Sequence, residues 1–129
     1  MTEFSISEVA REVGLRSSAI RYYEEIGILA SPARVNGQRR YDAVALDRLT
    51  IIQRARQLGF SLREIRALFF EFDQSVPASA RWKEMSGRKL AELDRMTAKI
   101  ATLRAELEAQ SKCGCASLDE CGRCTRRAS

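Results

Sequence analysis

Apolar residues recur at helical spacing along most of the chain, and residues typical of helix ends separate these stretches. The first stretch follows Ser5, which forms a capping-box pattern with Glu8, and it ends at Gly14. The second begins near Ser17 and runs to Gly27. Two short helices joined by a tight turn that contains glycine form the outline of a helix-turn-helix. The plain alternative is any small helical hairpin.

The segment RVNGQRRYD interrupts the helical pattern. Its Asn36-Gly37 pair is the strongest short-range signal for a β-hairpin, and Arg34, Arg39 and Arg40 flank it. A basic hairpin directly after a helix-turn-helix predicts a winged helix. Such a wing can lie against a phosphate backbone or reach into a minor groove. The alternative is a solvated turn that happens to be basic.

Two further helices should follow the wing. Asp42 is placed to cap a helix over about 43–58, which Gly59 ends. Ser61 and Glu64 repeat the capping-box pattern and open the next helix. These elements complete a predicted winged helix-turn-helix domain over residues 1–72.

A long helix is predicted over residues 81–111, after a connector over 73–80 (DQSVPASA). Five of its apolar residues recur at intervals of three and four, which is typical of a coiled-coil seam: Leu93, Met96, Ile100, Leu103 and Leu107. A narrow apolar stripe needs a partner, so we expect a homodimer joined by a long antiparallel coiled-coil dimerisation helix. The predicted fold class is mainly α, and two heads related by a two-fold axis would read a near-palindromic DNA site.

Composition narrows the possible functions. Lys and Arg outnumber Asp and Glu by 22 to 17, and the net charge of +5 permits nucleic-acid binding without requiring it. The absence of histidine removes the usual general base and every histidine-containing metal site, which argues against an enzyme. The chain has no apolar run long enough to span a membrane and no signal-peptide pattern at its start, so we expect a cytoplasmic protein.

All four cysteines lie in the last segment, residues 112–129, which we interpret as a cysteine-rich effector loop and tail. Their spacing is C-x-C-x5-C-x2-C: Cys113, Cys115, Cys121 and Cys124. In a reducing cytosol, clustered thiols favour metal or redox chemistry over structural disulfides.

Taken together, these segments resemble the MerR family of bacterial transcriptional regulators. The likeness rests on FSISEVAREVGLRSSAIRYYEEIGIL, RVNGQRRYD and LTIIQRARQLGFSLREI in that order, followed by a long helix that ends in a cysteine loop. It covers nearly the whole chain. The resemblance implies a dimeric regulator that binds promoter DNA and bends and untwists it according to effector state, so that RNA polymerase can engage both promoter elements.

The resemblance also implies which residues contact DNA. Matching positions in and before the second helix are Arg16, Ser17, Ser18, Arg21, Tyr22 and Tyr23. Matching positions in the wing are Arg34, Asn36, Gln38, Arg39, Arg40 and Tyr41. We expect Arg21 to read a base or an adjacent phosphate, whereas one of the two adjacent tyrosines, Tyr23, could instead face the core.

The family places its effector site at the cysteine loop, and the first candidate is a [2Fe–2S] cluster held by four thiolates. The redox-sensing SoxR branch carries C-x2-C-x-C-x5-C there, and CGCASLDEC matches its last three cysteines. The first cysteine of that pattern falls at Gln110, so Cys124 would have to substitute for it. On this interpretation the protein is a redox sensor.

The alternative is a thiolate-bound metal ion such as zinc or copper. Metal-sensing branches often use two cysteines separated by seven or eight residues, and seven separate Cys113 from Cys121. In divalent sensors a partner's cysteine near the start of the long helix usually helps, but Ala78-Ser79-Ala80 stands there.

Other interpretations remain open. The thiols could switch by oxidation without metal, since Lys112, Arg123, Arg126 and Arg127 lie beside them. The segment could also be an unliganded tail. A thiol oxidoreductase, or a metal-buffering module that never binds DNA, is disfavoured, the latter by the RYYE and GQRRY segments.

Overall fold

The computed structural model describes residues 3–128 and divides the chain into two compact units, one extending to Ser86 and the other beginning at Gly87. Within the described residues, the fold is mainly α, as predicted, with six helices and one two-stranded sheet. In chain order the elements are α1 (Ile6–Val13), α2 (Ser17–Glu25), β1 (Ala33–Val35), β2 (Gln38–Arg40), α3 (Ala43–Gln57), α4 (Leu62–Phe70), α5 (Ala78–Ser111) and α6 (Leu118–Ala128).

Capping residues determine the helix ends in the first unit. The Glu8 backbone N–H donates to Ser5 Oγ (3.2 Å), and the Ser5 N–H donates back to the Glu8 carboxylate (3.1 Å). Ser61 and Glu64 form the same reciprocal pair at the start of α4. Gly14 ends α1 in the left-handed conformation, with a φ of 71°. Both predicted capping boxes are confirmed.

The predicted hairpin is also confirmed. Strands β1 and β2 are antiparallel, with Ala33 opposite Arg40 and Val35 opposite Gln38. The two turn residues, Asn36 and Gly37, have φ values of 53° and 78°. Positive φ at both central residues is what a two-residue turn of type I′ requires, and Asn-Gly adopts it at low cost.

Side chains from α1 to α4 and from the end of the wing form the core of the first unit. The largest fully buried ones are Val9, Ile20, Ile28, Leu29, Tyr41, Leu49, Ile52 and Ile65. Met85, near the start of α5, joins the same cluster. Because Ile20 and Tyr23 bury one face of α2, the opposite face, which carries Arg21 and Tyr22, is turned to solvent.

The start of the long helix differs from the sequence prediction. Helix α5 begins at Ala78, three residues before the predicted start at 81, so the connector ends at Pro77. The Pro77 carbonyl accepts hydrogen bonds from the backbone N–H groups of Ala80 and Arg81, so the hydrogen bonds of the helix start directly after the proline.

The C-terminal segment differs more, and the predicted loop and tail must be corrected. Among its described residues, only 112–117 are irregular, and 118–128 form helix α6. Ser117 Oγ accepts the Glu120 N–H at 3.1 Å, a capping interaction for which the sequence S-L-D-E carries the pattern. Among the described residues, no helix is both long enough and apolar enough to cross a bilayer.

The turn of the wing gives a first test. Gly37→Ala should destabilise the fold by about 1 kcal/mol, because a Cβ strains the positive φ although nothing lies within 4 Å to clash with it. Urea unfolding followed by circular dichroism measures the change. Asn36→Gly is the control, and its loss of stability should be no more than a few tenths of the loss caused by Gly37→Ala. Equal losses for the two variants would show that the turn conformation is different.

Candidate functional site

Helix α2 and the residue before it present a polar surface that contains five of the six residues predicted to contact DNA from this segment. Arg16, Ser18, Arg21 and Tyr22 are exposed, and Ser17 is half-buried. Two long-range bonds fix the surrounding backbone. Gln53 Nε2 donates to the Gly14 carbonyl before α2 (3.3 Å), and a guanidinium of α4 donates to the Ile26 carbonyl after it (2.7 Å). The helix is thus tied to the core at both ends.

The wing lies beside this surface. Arg34, Asn36 and Gln38 are exposed, while Arg39 and Arg40 are half-buried. A shallow cleft between α2 and the wing contains three of the predicted DNA-contact arginines together with two acidic residues: Arg21, Arg34, Arg39, Glu24 and Glu25. The structure therefore brings Arg21 of α2 and Arg34 and Arg39 of the wing onto one surface.

Two tyrosines from the predicted DNA-contact set lie in the core instead. Tyr23 is 7% exposed and Tyr41 is 1% exposed, so their rings fill the interior of the first unit. The Tyr41 hydroxyl donates to Glu24 Oε2 at 2.7 Å. Burial, together with this hydrogen bond to a carboxylate, raises the pKa of Tyr41 above its usual value. These two positions therefore support the surface from beneath.

Glu24 is the residue that sequence reasoning missed. Its side chain is only 7% exposed, and its carboxylate accepts Arg39 Nε (3.3 Å) as well as the Tyr41 hydroxyl. One signal was available, because Glu24 follows Ile20 by four residues and therefore lies on the buried face of α2. An acidic side chain on that face needs partners, but the sequence did not indicate which ones.

A cluster of thiols forms the second candidate site. The Sγ atoms of Cys113, Cys115 and Cys121 all lie within 4.8 Å of one another. Cys113 Sγ is 3.9 Å from Cys121 Sγ, and Cys115 Sγ is 4.0 Å from Cys124 Sγ. In a tetrahedral site with metal–sulfur bonds of about 2.3 Å, sulfur atoms lie about 3.8 Å apart. The cluster is therefore close to the spacing that a thiolate-bound metal ion requires.

Hydrogen bonds within the cluster distinguish its sulfurs. The Cys115 thiol and the Cys115 backbone N–H both bond to Cys113 Sγ, and these bonds, with Cys121 nearby, hold the pKa of Cys113 below its usual value. The same thiol bond, together with partial desolvation, raises the pKa of Cys115 to about 12. Between these two thiols, Cys113 therefore loses its proton more readily than Cys115. A metal ion displaces the protons of its thiol ligands, so its affinity should increase with pH.

The residues around the cluster bear on the predicted ligand set. Gln110 occupies the position of the first cysteine in the SoxR-like pattern, and its Nε2 donates to Cys121 Sγ at 3.2 Å. Cys124 lies outside the group of three mutually close sulfurs. Three of the four predicted ligands are therefore together, and the fourth contacts the group through Cys115.

The predicted dimerisation stripe on α5 is exposed in the single chain. Its five side chains are between 46% and 71% exposed: Leu93, Met96, Ile100, Leu103 and Leu107. Leu90, which is 60% exposed, extends the stripe toward the start of the helix. A row of this length turned to water favours a partner helix.

Comparison with known proteins agrees with this architecture. Residues 4–70 match the family described as MerR HTH family regulatory protein, and residues 46–110 match the family described as MerR, DNA binding. The chain is 38% identical to the HTH-type transcriptional regulator HmrR of Rhizobium leguminosarum bv. viciae over 104 residues, 81% of each protein. It is 40% identical to CueR of Escherichia coli O157:H7, another HTH-type transcriptional regulator, over 80% of this chain and 77% of that one.

A solved structure shows the same likeness in three dimensions. The transcription regulator PbrR691 from Ralstonia metallidurans CH34, solved in complex with lead(II), superimposes with a TM-score of 0.73. The two chains are 28% identical, and the match covers 88% of this chain and 90% of that one.

The winged helix-turn-helix and its basic surface define a DNA-binding transcriptional regulator. The chain belongs to the MerR family, since the family match over residues 4–70 covers more than half of it and the relatives align with about four fifths of its length. The named relatives are transcriptional regulators rather than enzymes, which supports a role other than catalysis.

The buried hydroxyl gives the second test. Tyr41→Phe should lower the free energy of unfolding by about 1.5–3 kcal/mol near neutral pH, because it removes a hydrogen bond to a buried carboxylate. The raised pKa stabilises the native state at pH values below the usual tyrosine pKa of 10.0, and this contribution disappears as the pH rises further. The difference in the free energy of unfolding between wild type and variant should therefore become smaller above pH 10.0. A difference that is constant in urea titrations across that range would contradict the assigned bond.

Proposed function

We propose that the protein is a homodimeric regulator that binds promoter DNA and responds to a soft metal ion held by the thiolates of Cys113, Cys115 and Cys121. The observation that carries the proposal is the mutual approach of these three sulfur atoms to within 4.8 Å. Thiolates prefer soft or borderline ions, such as Cu(I) and Zn(II), over hard ions such as Mg(II). Two ligands come from the irregular segment and one from α6, so binding an ion would order their junction.

The ligand set favours an ion over an iron–sulfur cluster. The SoxR-like pattern needs a cysteine at Gln110, and that side chain instead donates a hydrogen bond to the cluster. The nearest substitute, Cys124, lies outside the three-sulfur group. The structural relative PbrR691 was solved with a metal ion, lead(II), which adds support to the metal interpretation.

The supply of ligands within one chain also bears on the choice of ion. The family resemblance gives divalent sensors an additional cysteine near the start of the long helix, but this chain has Ala78, Ser79 and Ala80 there. All the thiolates come from the C-terminal segment. This favours ions that bind two, three or four sulfurs without a further cysteine from the partner.

The metal would act on DNA through the dimer. The exposed α5 stripe provides the helix pairing, and two winged heads related by a two-fold axis would contact two half-sites of a near-palindromic promoter element. Metal binding then changes how strongly the dimer bends and untwists the DNA, and so whether RNA polymerase engages the promoter.

Metal binding provides the test of the site. The purified protein, expressed without oxygen, should be colourless and should bind Zn(II) or Cu(I) in competition with a chromophoric chelator. Cys113→Ser and Cys121→Ser should each weaken binding by about 100-fold or more, because each removes a sulfur donor. Cys124→Ser is the matched control and should cost about tenfold, as expected for a group outside the direct ligands.

Two results would contradict the proposal, the first for the metal ion and the second for its ligand set. One is a brown protein with stoichiometric iron and sulfide, which dithionite bleaches and which would establish the cluster instead. The other is an equal loss of metal affinity in the Cys113 and Cys124 variants. DNA binding by Cys113→Ser, measured by gel shift, should be retained while its response to metal disappears.

Dimerisation has its own test. Leu103→Glu places a charge in the middle of the α5 stripe, so it should shift the molecular mass in solution from that of a dimer toward the 14.6 kDa of one chain. Ala105→Glu adds the same charge to an exposed position off the stripe and should leave the dimer intact. Light scattering after gel filtration measures both. A wild-type monomer, or equal effects of the two substitutions, would rule out this interface.

A further inference from the structure

We infer that Glu24 is a positioning residue for DNA binding, which fixes the wing against helix α2 and orients Arg39 toward a DNA phosphate. The inference rests on the DNA-binding role of the family and is independent of the metal assignment.

The contacts join the two parts of the DNA surface at one carboxylate. Glu24 belongs to α2, whereas Arg39 and Tyr41 belong to the second strand of the wing and the residue after it. Oε1 accepts Arg39 Nε at 3.3 Å, and Oε2 accepts the Tyr41 hydroxyl at 2.7 Å. Both oxygens of one buried side chain therefore hold the wing.

The position of Tyr41 is itself fixed from the other side. Its backbone N–H and carbonyl exchange hydrogen bonds with those of Phe4, each at 2.8 Å, and its ring is 1% exposed. The end of the wing is thus held by backbone pairing, and the Glu24 carboxylate adds the link to α2. Without that link, the hairpin would keep the backbone pairing at its end, but its orientation relative to α2 would no longer be fixed.

The geometry leaves Arg39 available to DNA. Its bond to Glu24 uses Nε, and within residues 3–128 no other bond of its guanidinium occupies the two terminal nitrogens. Arg39 lines the cleft that also contains Arg21 and Arg34. A guanidinium held through Nε presents its remaining N–H groups in a fixed direction, so less side-chain entropy is lost when it binds a phosphate.

The opposite hypothesis makes an opposite prediction. If Glu24 were only one more negative charge near DNA, its removal would reduce repulsion and tighten binding to any duplex. Glu25, its exposed neighbour in the same cleft, serves as the control for that effect. If Glu24 positions Arg39, its removal weakens binding, because the wing no longer reaches its phosphate when α2 occupies the major groove.

The experiment compares Glu24→Gln with Glu25→Gln in metal-free protein with intact cysteines. The probe is a duplex that the wild-type protein selects from a random pool, with a scrambled duplex of equal length alongside. Glu24→Gln should weaken binding to the selected duplex by about tenfold. It should also lower the magnitude of the slope of log binding constant against log salt concentration by about two, because each subunit of a dimer loses one phosphate contact. Glu25→Gln should not weaken binding or lower the slope.

A double-mutant cycle shows whether the effect passes through Arg39. In the Arg39→Ala background, Glu24→Gln should change the affinity by less than about twofold, because the group it positions is already gone. The inference is overturned if Glu24→Gln tightens binding as Glu25→Gln does, or if its full effect persists in that background.

Folding is checked by thermal melting of each variant. If Glu24→Gln does not melt cooperatively, Tyr41→Phe replaces it, since it removes the bond at the other carboxylate oxygen and leaves the Arg39 pair in place. Tyr41→Phe should also weaken binding to the selected duplex, but by a smaller factor than Glu24→Gln. Unchanged affinity there would overturn the inference.

Discussion

The burial of one face of α2 determines which of its residues form the predicted DNA-contact surface. Ile20 and Tyr23 anchor the helix in the core, and Arg21 and Tyr22 face outward as a consequence. Glu24 lies on the same inner side and would be costly there without partners. Its bonds to the wing remove that cost and connect the only sheet of the described residues to the helix beside it.

The second unit has a different physical character. None of the described residues of α6 is buried, and the apolar stripe of α5 faces water in a single chain. Such a unit has little core of its own, so its stability should depend on what covers the stripe and on what binds the thiols. This dependence is consistent with the proposed metal sensing, because a segment of low intrinsic stability responds strongly to a ligand that orders it.

The thiol cluster shows how a short local structure assembles a site. Ser117 and Glu120 cap the start of α6, and this brings Cys121 within 3.9 Å of Cys113 across the irregular segment. The helical repeat then places Cys124 about one turn beyond Cys121, beside Cys115 rather than within the three-sulfur group. The departure from the SoxR-like pattern is therefore visible in three dimensions as well as in the spacing.

Sequence alone determined what depends on neighbouring residues: the two capping boxes, the Asn36-Gly37 hairpin, the α5 stripe and the group of cysteines. These features have short-range signatures, because caps, turns and periodicity involve residues a few positions apart. The S-L-D-E cap of α6 has such a signature too. Only the tertiary structure decided that Tyr23 and Tyr41 lie inside and that Glu24 bonds the wing. Burial and pairing across 15 or 17 residues depend on how the helices pack, which local pattern does not encode.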